Sequence, residues 1–119
     1  MGLLIFLEPF LKSMTRVEST IKKSDYLEVQ IGKIQLDLER RGLVFSEIKG
    51  NQLIYKNDKG EAVTFDFYQN MIRKRVSGEG HQPIMTGVKS VRYQEINEVI
   101  EMEVTTLEKE TYRYFLFPW

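Results

Sequence analysis

The sequence predicts an α+β fold in which one N-terminal amphipathic helix packs on an antiparallel β-sheet. Two observations support this. Apolar residues recur at helical spacing in the first third of the chain, and the remainder alternates short strand-like segments with turn-forming residues. The chain has 119 residues, enough for one domain with one core. We therefore divide it into an apolar N-terminal segment, residues 1–12, and a single globular head, residues 13–119.

The helix is predicted within Lys12–Arg41. Ser24 is the predicted N-cap and Gly42 the predicted C′ residue. Serine and threonine residues leave open whether the helix extends upstream through Lys12–Lys23. Charged residues such as Arg40 are expected to face water. The apolar side chains recur at i, i+4, i+7 and i+11, and we expect this apolar stripe to cover the sheet: Leu27, Ile31, Ile34 and Leu38.

Strand and turn signals alternate after the helix, and together they predict one antiparallel sheet. Gln69-Asn70 is expected to form a tight turn or a bulge, and Asn97-Glu98 a turn. The composition of Ser77–Pro83 predicts a loop. In chain order the predicted strands are Leu43–Ile48, Gln52–Lys56, Ala62–Tyr68, Met71–Val76, Val88–Ile96, Val99–Leu107 and Thr111–Phe117.

The N-terminal segment contains a compact apolar run formed by Leu3, Leu4, Ile5, Phe6 and Leu7. A membrane-spanning helix needs about 20 apolar residues, so this run is too short to cross a bilayer. It also lacks the preceding basic residues and the following small-residue site of a signal peptide. Two interpretations stay open: the remnant of a membrane anchor, or an ordinary buried helix or strand.

The composition argues against most enzymatic chemistry. The chain has no cysteine, which excludes cysteine nucleophiles, cysteine-based metal sites and disulfides. The sequence contains no nucleophile-elbow, phosphate-loop or zinc-protease motif. The single histidine, His81, is expected to be a solvated or hydrogen-bonded loop residue. We predict a protein that is not an enzyme, with no catalytic residues, no cofactor and no metal site.

A basic run, Arg73-Lys74-Arg75, lies in a predicted strand, so Arg73 and Arg75 share one face and Lys74 takes the other. Together with Tyr68 and Tyr93 it could form a small patch that binds phosphate and stacks on bases. Alternatively, the run is a solvated face whose cations pair with carboxylates of a neighbouring strand. The formal net charge of zero favours the second interpretation.

The segment from Phe65 to Ile84 carries a resemblance to a known family. It reads F-D-F-Y-Q-N-M-I-R-K-R-V-S-G-E-G-H-Q-P-I. This ungapped run resembles the central segment of ComGF proteins, which are minor pseudopilins of the DNA-uptake pilus of Gram-positive bacteria. The close resemblance covers about a sixth of the chain. The order of a helix followed by an antiparallel sheet is similar to that of minor pseudopilins in general.

The resemblance implies a membrane-anchored subunit that supports pilus assembly for natural transformation, with its head outside the membrane and exposed at the cell surface. Other minor and major competence pseudopilins would be its partners, and DNA would be contacted only through the assembled pilus. The leader that pilins usually carry is not seen in this sequence. The residues implied in partner contact are Arg73, Arg75, Gly78, Gly80 and His81, and those facing membrane or filament are Leu3, Leu4, Ile5, Phe6 and Leu7. A secretion pseudopilin without a DNA role and a small DNA-binding module are the alternatives.

Overall fold

The computed structural model describes residues 17–117, with side chains described from residue 25 onward. The apolar run Leu3–Leu7 therefore lies outside the described residues. Within residues 17–117, one helix is followed by strands only, which confirms the α+β class. The elements are α1 (Val17–Glu39), β1 (Val44–Lys49), β2 (Gln52–Lys56), β3 (Ala62–Phe67), β4 (Met71–Val76), β5 (Glu79–Thr86), β6 (Val88–Ile96), β7 (Val99–Thr106) and β8 (Thr111–Leu116).

The strands form two antiparallel sheets, so the prediction of a single sheet was wrong. Five strands pair in the order β1-β2-β3-β4-β5, and three pair in the order β6-β7-β8. The chain changes sheet at Gly87, whose φ is +72°. A Cβ at that position would lie 3.1 Å from the Glu28 carboxylate. Glycine is therefore favoured at the junction for both its backbone angle and its lack of a side chain.

Tight turns connect most neighbouring strands. Gln69-Asn70 and Asn97-Glu98 each have positive φ at both residues, the geometry of two-residue hairpin turns, which confirms both predicted turns. The loop predicted over Ser77–Pro83 was wrong. Ser77-Gly78 is a two-residue turn of the same kind, and β5 begins at Glu79 and pairs with β4. The glycines and polar residues of this segment indicated a loop, because local composition carries no information about pairing with a neighbouring strand.

The helix ends where the sequence predicted. Gly42 has a φ of +78°, as expected of a C′ glycine, and the amide of Leu43 donates to the carbonyl of Arg40 across 3.2 Å. The predicted N-cap was wrong, because Ser24 lies inside α1. Arg40 was expected to face water but is buried, with Nη1 donating to the Phe117 carbonyl at 3.0 Å.

The apolar stripe faces away from the sheets, which reverses the sequence prediction. Its four side chains are between 45% and 64% exposed. The face that docks is formed by Val29, Gly32, Leu36 and Arg40, at i, i+3, i+7 and i+11. Gly32 permits close approach to β5, since a Cβ there would lie 2.6 Å from Met85 Cγ. The orientation of the helix therefore depends on Gly32 and on the polar contacts described next. It does not follow the most apolar stripe of the helix.

Polar contacts fix this orientation of α1. Asp25 accepts hydrogen bonds from Thr106 and Tyr112, at 3.1 and 3.4 Å, and Tyr114 donates to Gln30. Lys74 donates to Glu39 at 2.8 Å. Each such contact needs its partner at a fixed place on a sheet, which periodicity does not reveal.

The core lies between the two sheets and the docked face of α1. Burial raises the pKa of the Tyr93 phenol, and its hydroxyl has no hydrogen-bond partner among the described residues. The fully buried apolar side chains come from the helix and from both sheets, and include Leu36, Leu53, Phe65, Ile72, Met85, Val88, Met102, Val104 and Leu116.

Candidate partner-binding surfaces

The two arginines of the basic run of β4 lie on the outer face of the five-stranded sheet, where they share one carboxylate. Arg73 Nε donates to Asp66 Oδ1 at 3.1 Å, and Arg75 Nη2 donates to Asp66 Oδ2 at 2.9 Å. Asp66 lies on the neighbouring strand β3, directly opposite Arg73 in the register. It is only 4% exposed because the two guanidinium groups cover it. The alternation of the run and its pairing with a neighbouring carboxylate are as the sequence favoured.

Lys74 points to the opposite face of the sheet, as strand alternation requires. Its ammonium forms an ion pair with Glu39 of α1, with Nζ and Oε1 separated by 2.8 Å. The hydrogen bond from Lys74 holds the pKa of the Glu39 carboxyl below its ordinary value, against the opposing effect of burial. The basic run is therefore divided, with two cations on the outer face and one holding the helix.

Aromatic contacts surround Arg73. Its guanidinium carbon lies 3.8 Å from the centroid of the Tyr68 ring, within cation–π distance. The Tyr68 and His81 rings meet edge to face at 5.6 Å, and Arg73 Nη1 lies 3.4 Å from His81 Nδ1. His81 is therefore a strand residue of β5 beside the arginines, and not a loop residue. Tyr93 lies in the core and takes no part in this cluster.

The two predicted glycines have conformational roles in the β4–β5 hairpin. Gly78 and Gly80 have φ values of +77° and +95°, and a Cβ at either would meet nothing within 4 Å. The Gly78 carbonyl accepts a hydrogen bond from Arg75 Nη1 at 3.3 Å. Four of the five predicted contact residues thus lie together, joined by direct contacts or by the turn of the hairpin. The fifth, Gly80, only shapes the strand.

Asp66, Tyr68, Arg73, Arg75 and His81 form an arginine cluster of charged and aromatic side chains in mutual contact. Two guanidinium groups and one carboxylate leave one excess positive charge on the surface. One face of the Tyr68 ring is already occupied by Arg73, which limits base stacking. Among the side chains of residues 25–117, no group of three or more His, Asp or Glu is arranged to hold a metal ion.

The apolar stripe forms a second surface, which the sequence located but assigned to the interior. A groove runs beside it between α1 and β5, with a cavity volume of about 310 Å³. Glu28, Ile31 and Gly32 line it from the helix, and residues 83–86 line it from the strand. The groove was not predicted, because only the three-dimensional approach of α1 to β5 creates it. Within the described residues, no helix is long and apolar enough to cross a bilayer.

Comparison with known proteins identifies the family. The family model of competence protein ComGF matches residues 13–112, most of the chain. This chain belongs to the ComGF family. It is 34% identical over 64 residues to competence protein ComGF of Bacillus subtilis (strain 168), a match that covers 54% of this chain and 50% of that protein. The matched region thus spans about half the length of the curated relative. No solved structure matches this chain.

Proposed function

We propose that this ComGF-family chain is a non-enzymatic minor pseudopilin of the competence type IV pilus, which supports assembly of the DNA-uptake machinery for natural transformation. The observation that carries this proposal is the family match over residues 13–112. The name of the Bacillus subtilis relative, a competence protein, agrees with it. The order of one helix followed by antiparallel sheets is also consistent with a pseudopilin head.

In this proposal the chain acts by contact with other subunits, and no residue carries out a chemical step. The segment Leu3–Leu7 would face the membrane or the filament, with the head outside the membrane at the cell surface. The arginine cluster and the apolar stripe would contact other minor and major pseudopilins. DNA would be reached only through the assembled pilus. One excess positive charge in the arginine cluster gives little electrostatic attraction for duplex DNA, in keeping with this indirect role.

Deletion of the gene in the native bacterium tests the proposal. We expect uptake of labelled duplex DNA and transformation to fall to the background of a strain lacking the pilus. Restoring the gene together with its upstream codons should return both. Growth and secretion of other proteins serve as controls, because a secretion pseudopilin would alter export and leave uptake intact. Undiminished uptake in the deletion strain would refute the competence role.

The arginine cluster can be tested in the same strain. Reversing charge with Arg73→Glu and Arg75→Glu is expected to weaken co-purification with sister pseudopilins, because both guanidinium groups lie on the outer face of the sheet. Arg92→Glu controls for charge reversal alone, since Arg92 is a surface arginine on the other sheet, 74% exposed and paired with Glu103. If all three variants co-purify equally well with the sister pseudopilins, the arginine cluster is not part of the contact surface.

A further inference from the structure

The arginine cluster already holds one carboxylate of its own, which shows the geometry in which it binds such a group. Arg73 and Arg75 donate to different oxygens of Asp66, at 3.1 and 2.9 Å. The two guanidinium groups therefore converge within the width of a single carboxyl group. Asp66 neutralises one of the two positive charges, and the second has no counter-ion among the described residues.

Both guanidinium groups of the cluster keep unused donors. A guanidinium has five N–H groups and no acceptor. Within the described part of the chain, hydrogen bonds reach only two nitrogens of each arginine: Nε and Nη1 of Arg73, and Nη1 and Nη2 of Arg75. The Nε of Arg75 is buried and has no partner there. The two side chains are 16% and 23% exposed, so each can be reached from solvent.

Aromatic neighbours fix the position of Arg73. Its guanidinium carbon lies 3.8 Å from the centroid of the Tyr68 ring, and its Nη1 lies 3.4 Å from His81 Nδ1. Because arginine can only donate, this contact makes Nδ1 the acceptor and leaves the His81 proton on Nε2. His81 is exposed and thus adds one N–H donor at the rim of the cluster. An arginine held in this way loses less conformational freedom on binding than a free surface arginine does.

We propose that the arginine cluster is a binding site for one glutamate or aspartate side chain of a different protein chain. Arg73 and Arg75 would donate to that carboxylate from their solvent side, while Asp66 continues to bind them from the other side. This inference rests on the proposed function, because it names the chemical group by which a partner subunit would be recognised.

The charge of the cluster fits one carboxylate better than a chain of phosphates. One excess positive charge is neutralised by a single carboxylate, whereas affinity for a polyanion grows with the number of phosphates that are neutralised. The other cations expected on this sheet face, Lys49 and Lys56, belong to β1 and β2 and are accompanied by Glu47. They lie at least two strands from Arg73, roughly 10 Å away. No continuous row of cations therefore leads from the cluster along the sheet.

The same charge excludes twofold pairing of two copies through this surface. Such pairing would set cluster against cluster and bring like charges together. The partner surface must instead differ from the cluster and carry an acidic side chain.

Zero-length crosslinking in the native bacterium tests the class of ligand. His81→Lys places a primary amine at the rim and leaves both arginines unchanged, and carbodiimide joins an amine to a carboxylate in direct contact. Ser90→Lys is the matched control, because Ser90 is also an exposed strand residue but lies on the other sheet. We expect mass spectrometry to find an amide between position 81 and a glutamate or aspartate of another protein, and none from position 90. An adduct with a second copy, an adduct with phosphate, equal adducts from both positions or no adduct with another chain would overturn the proposal.

The double variant Arg73→Lys with Arg75→Lys tests the geometry of the contact. Both charges are kept, but an ammonium cannot offer the paired N–H groups of a guanidinium. We expect co-purification of the crosslinked partner to fall by about tenfold or more, the effect of losing one charge-assisted hydrogen bond. Arg92→Lys with Arg113→Lys is the matched control, since these arginines share Glu103 on the other sheet, and it should leave co-purification unchanged. Full co-purification of the cluster variant would show that charge alone is sufficient and would refute the proposal.

A variant of the partner tests the same contact while this chain stays intact. Exchange of the crosslinked glutamate or aspartate for its amide should weaken co-purification by the same factor. Adding the two lysine substitutions should weaken it no further, because both changes break one contact, and additive losses would contradict direct binding. If gene deletion abolishes DNA uptake while these variants leave co-purification and uptake unchanged, the carboxylate site is wrong and the competence role stands.

Discussion

Replacement of Asp66 by asparagine removes the negative charge that the two outer-face arginines share. Asp66→Asn keeps the size of the side chain and leaves Arg73 and Arg75 without their common anion. Each lost charge-assisted hydrogen bond is worth about 1.5–3 kcal/mol. The side chains of Arg73 and Arg75 are 16% and 23% exposed, so part of the loss is recovered when they turn toward water. We expect the free energy of unfolding to fall by about 2–4 kcal/mol.

The chain offers a matched control in the three-stranded sheet. Glu103 also receives two arginines, at 2.8 Å from Arg92 and 3.0 Å from Arg113. These arginines are 74% and 62% exposed, so water already competes for them. Glu103→Gln is therefore expected to cost less than about 1 kcal/mol.

Denaturant titration followed by circular dichroism measures both variants under the same conditions. The melting temperature provides a second measure, because a loss of 1 kcal/mol lowers it by about 4 °C in a domain of this size. Asp66→Asn should melt well below the parent chain, and Glu103→Gln close to it. Equal losses in the two variants would refute the argument that burial of the shared carboxylate determines its contribution.

Two further outcomes follow from the helix contact and from the part-buried Tyr114. Gly32→Ala should lower the free energy of unfolding by about 1–2 kcal/mol, because overpacking against Met85 outweighs the gain of about 1 kcal/mol in helix propensity. In a Met85→Ala background, which is itself less stable because Met85 is buried, Gly32→Ala should cost less than it does in the parent chain. An equal cost in the two backgrounds, measured by thermal unfolding, would contradict the overpacking argument. Burial raises the pKa of Tyr114 to about 12, so its stabilising contribution is complete below pH ~10 and is lost as the pH rises through 12. Tyr114→Phe should flatten the fall in stability between those values, as measured by denaturant titration at each pH, and an unchanged slope would contradict the assignment.

Local signals predicted most of the strands because each hairpin carries its own turn residues. Gln52–Lys56, Met71–Val76 and Val88–Ile96 have the bounds predicted for them. The β5 strand was missed because its glycines and polar residues resemble a loop until β4 is placed beside them. The change of sheet at Gly87 has no local signature at all, since nothing in the neighbouring residues specifies which strand the chain will join next.

The candidate surfaces were predicted in part. Strand alternation placed Arg73 and Arg75 on one face, but the identity of their carboxylate, Asp66, depends on the β3–β4 register. Periodicity found the apolar stripe and assigned it to the wrong side. The docked face of α1 is selected by Gly32 and by distant polar partners, and a helix viewed alone does not contain that information.

The polar contacts between α1 and the last strand also describe how the head would carry mechanical load. Asp25, Gln30 and Arg40 follow one another along the helix, and their partners Tyr112, Tyr114 and Phe117 follow in the same order along β8 and just beyond it. The helix and the strand therefore run side by side in the same direction. A pull along the helix axis stretches all three contacts together in shear, instead of breaking them one at a time from an end. Under such a pull, the three contacts would resist together.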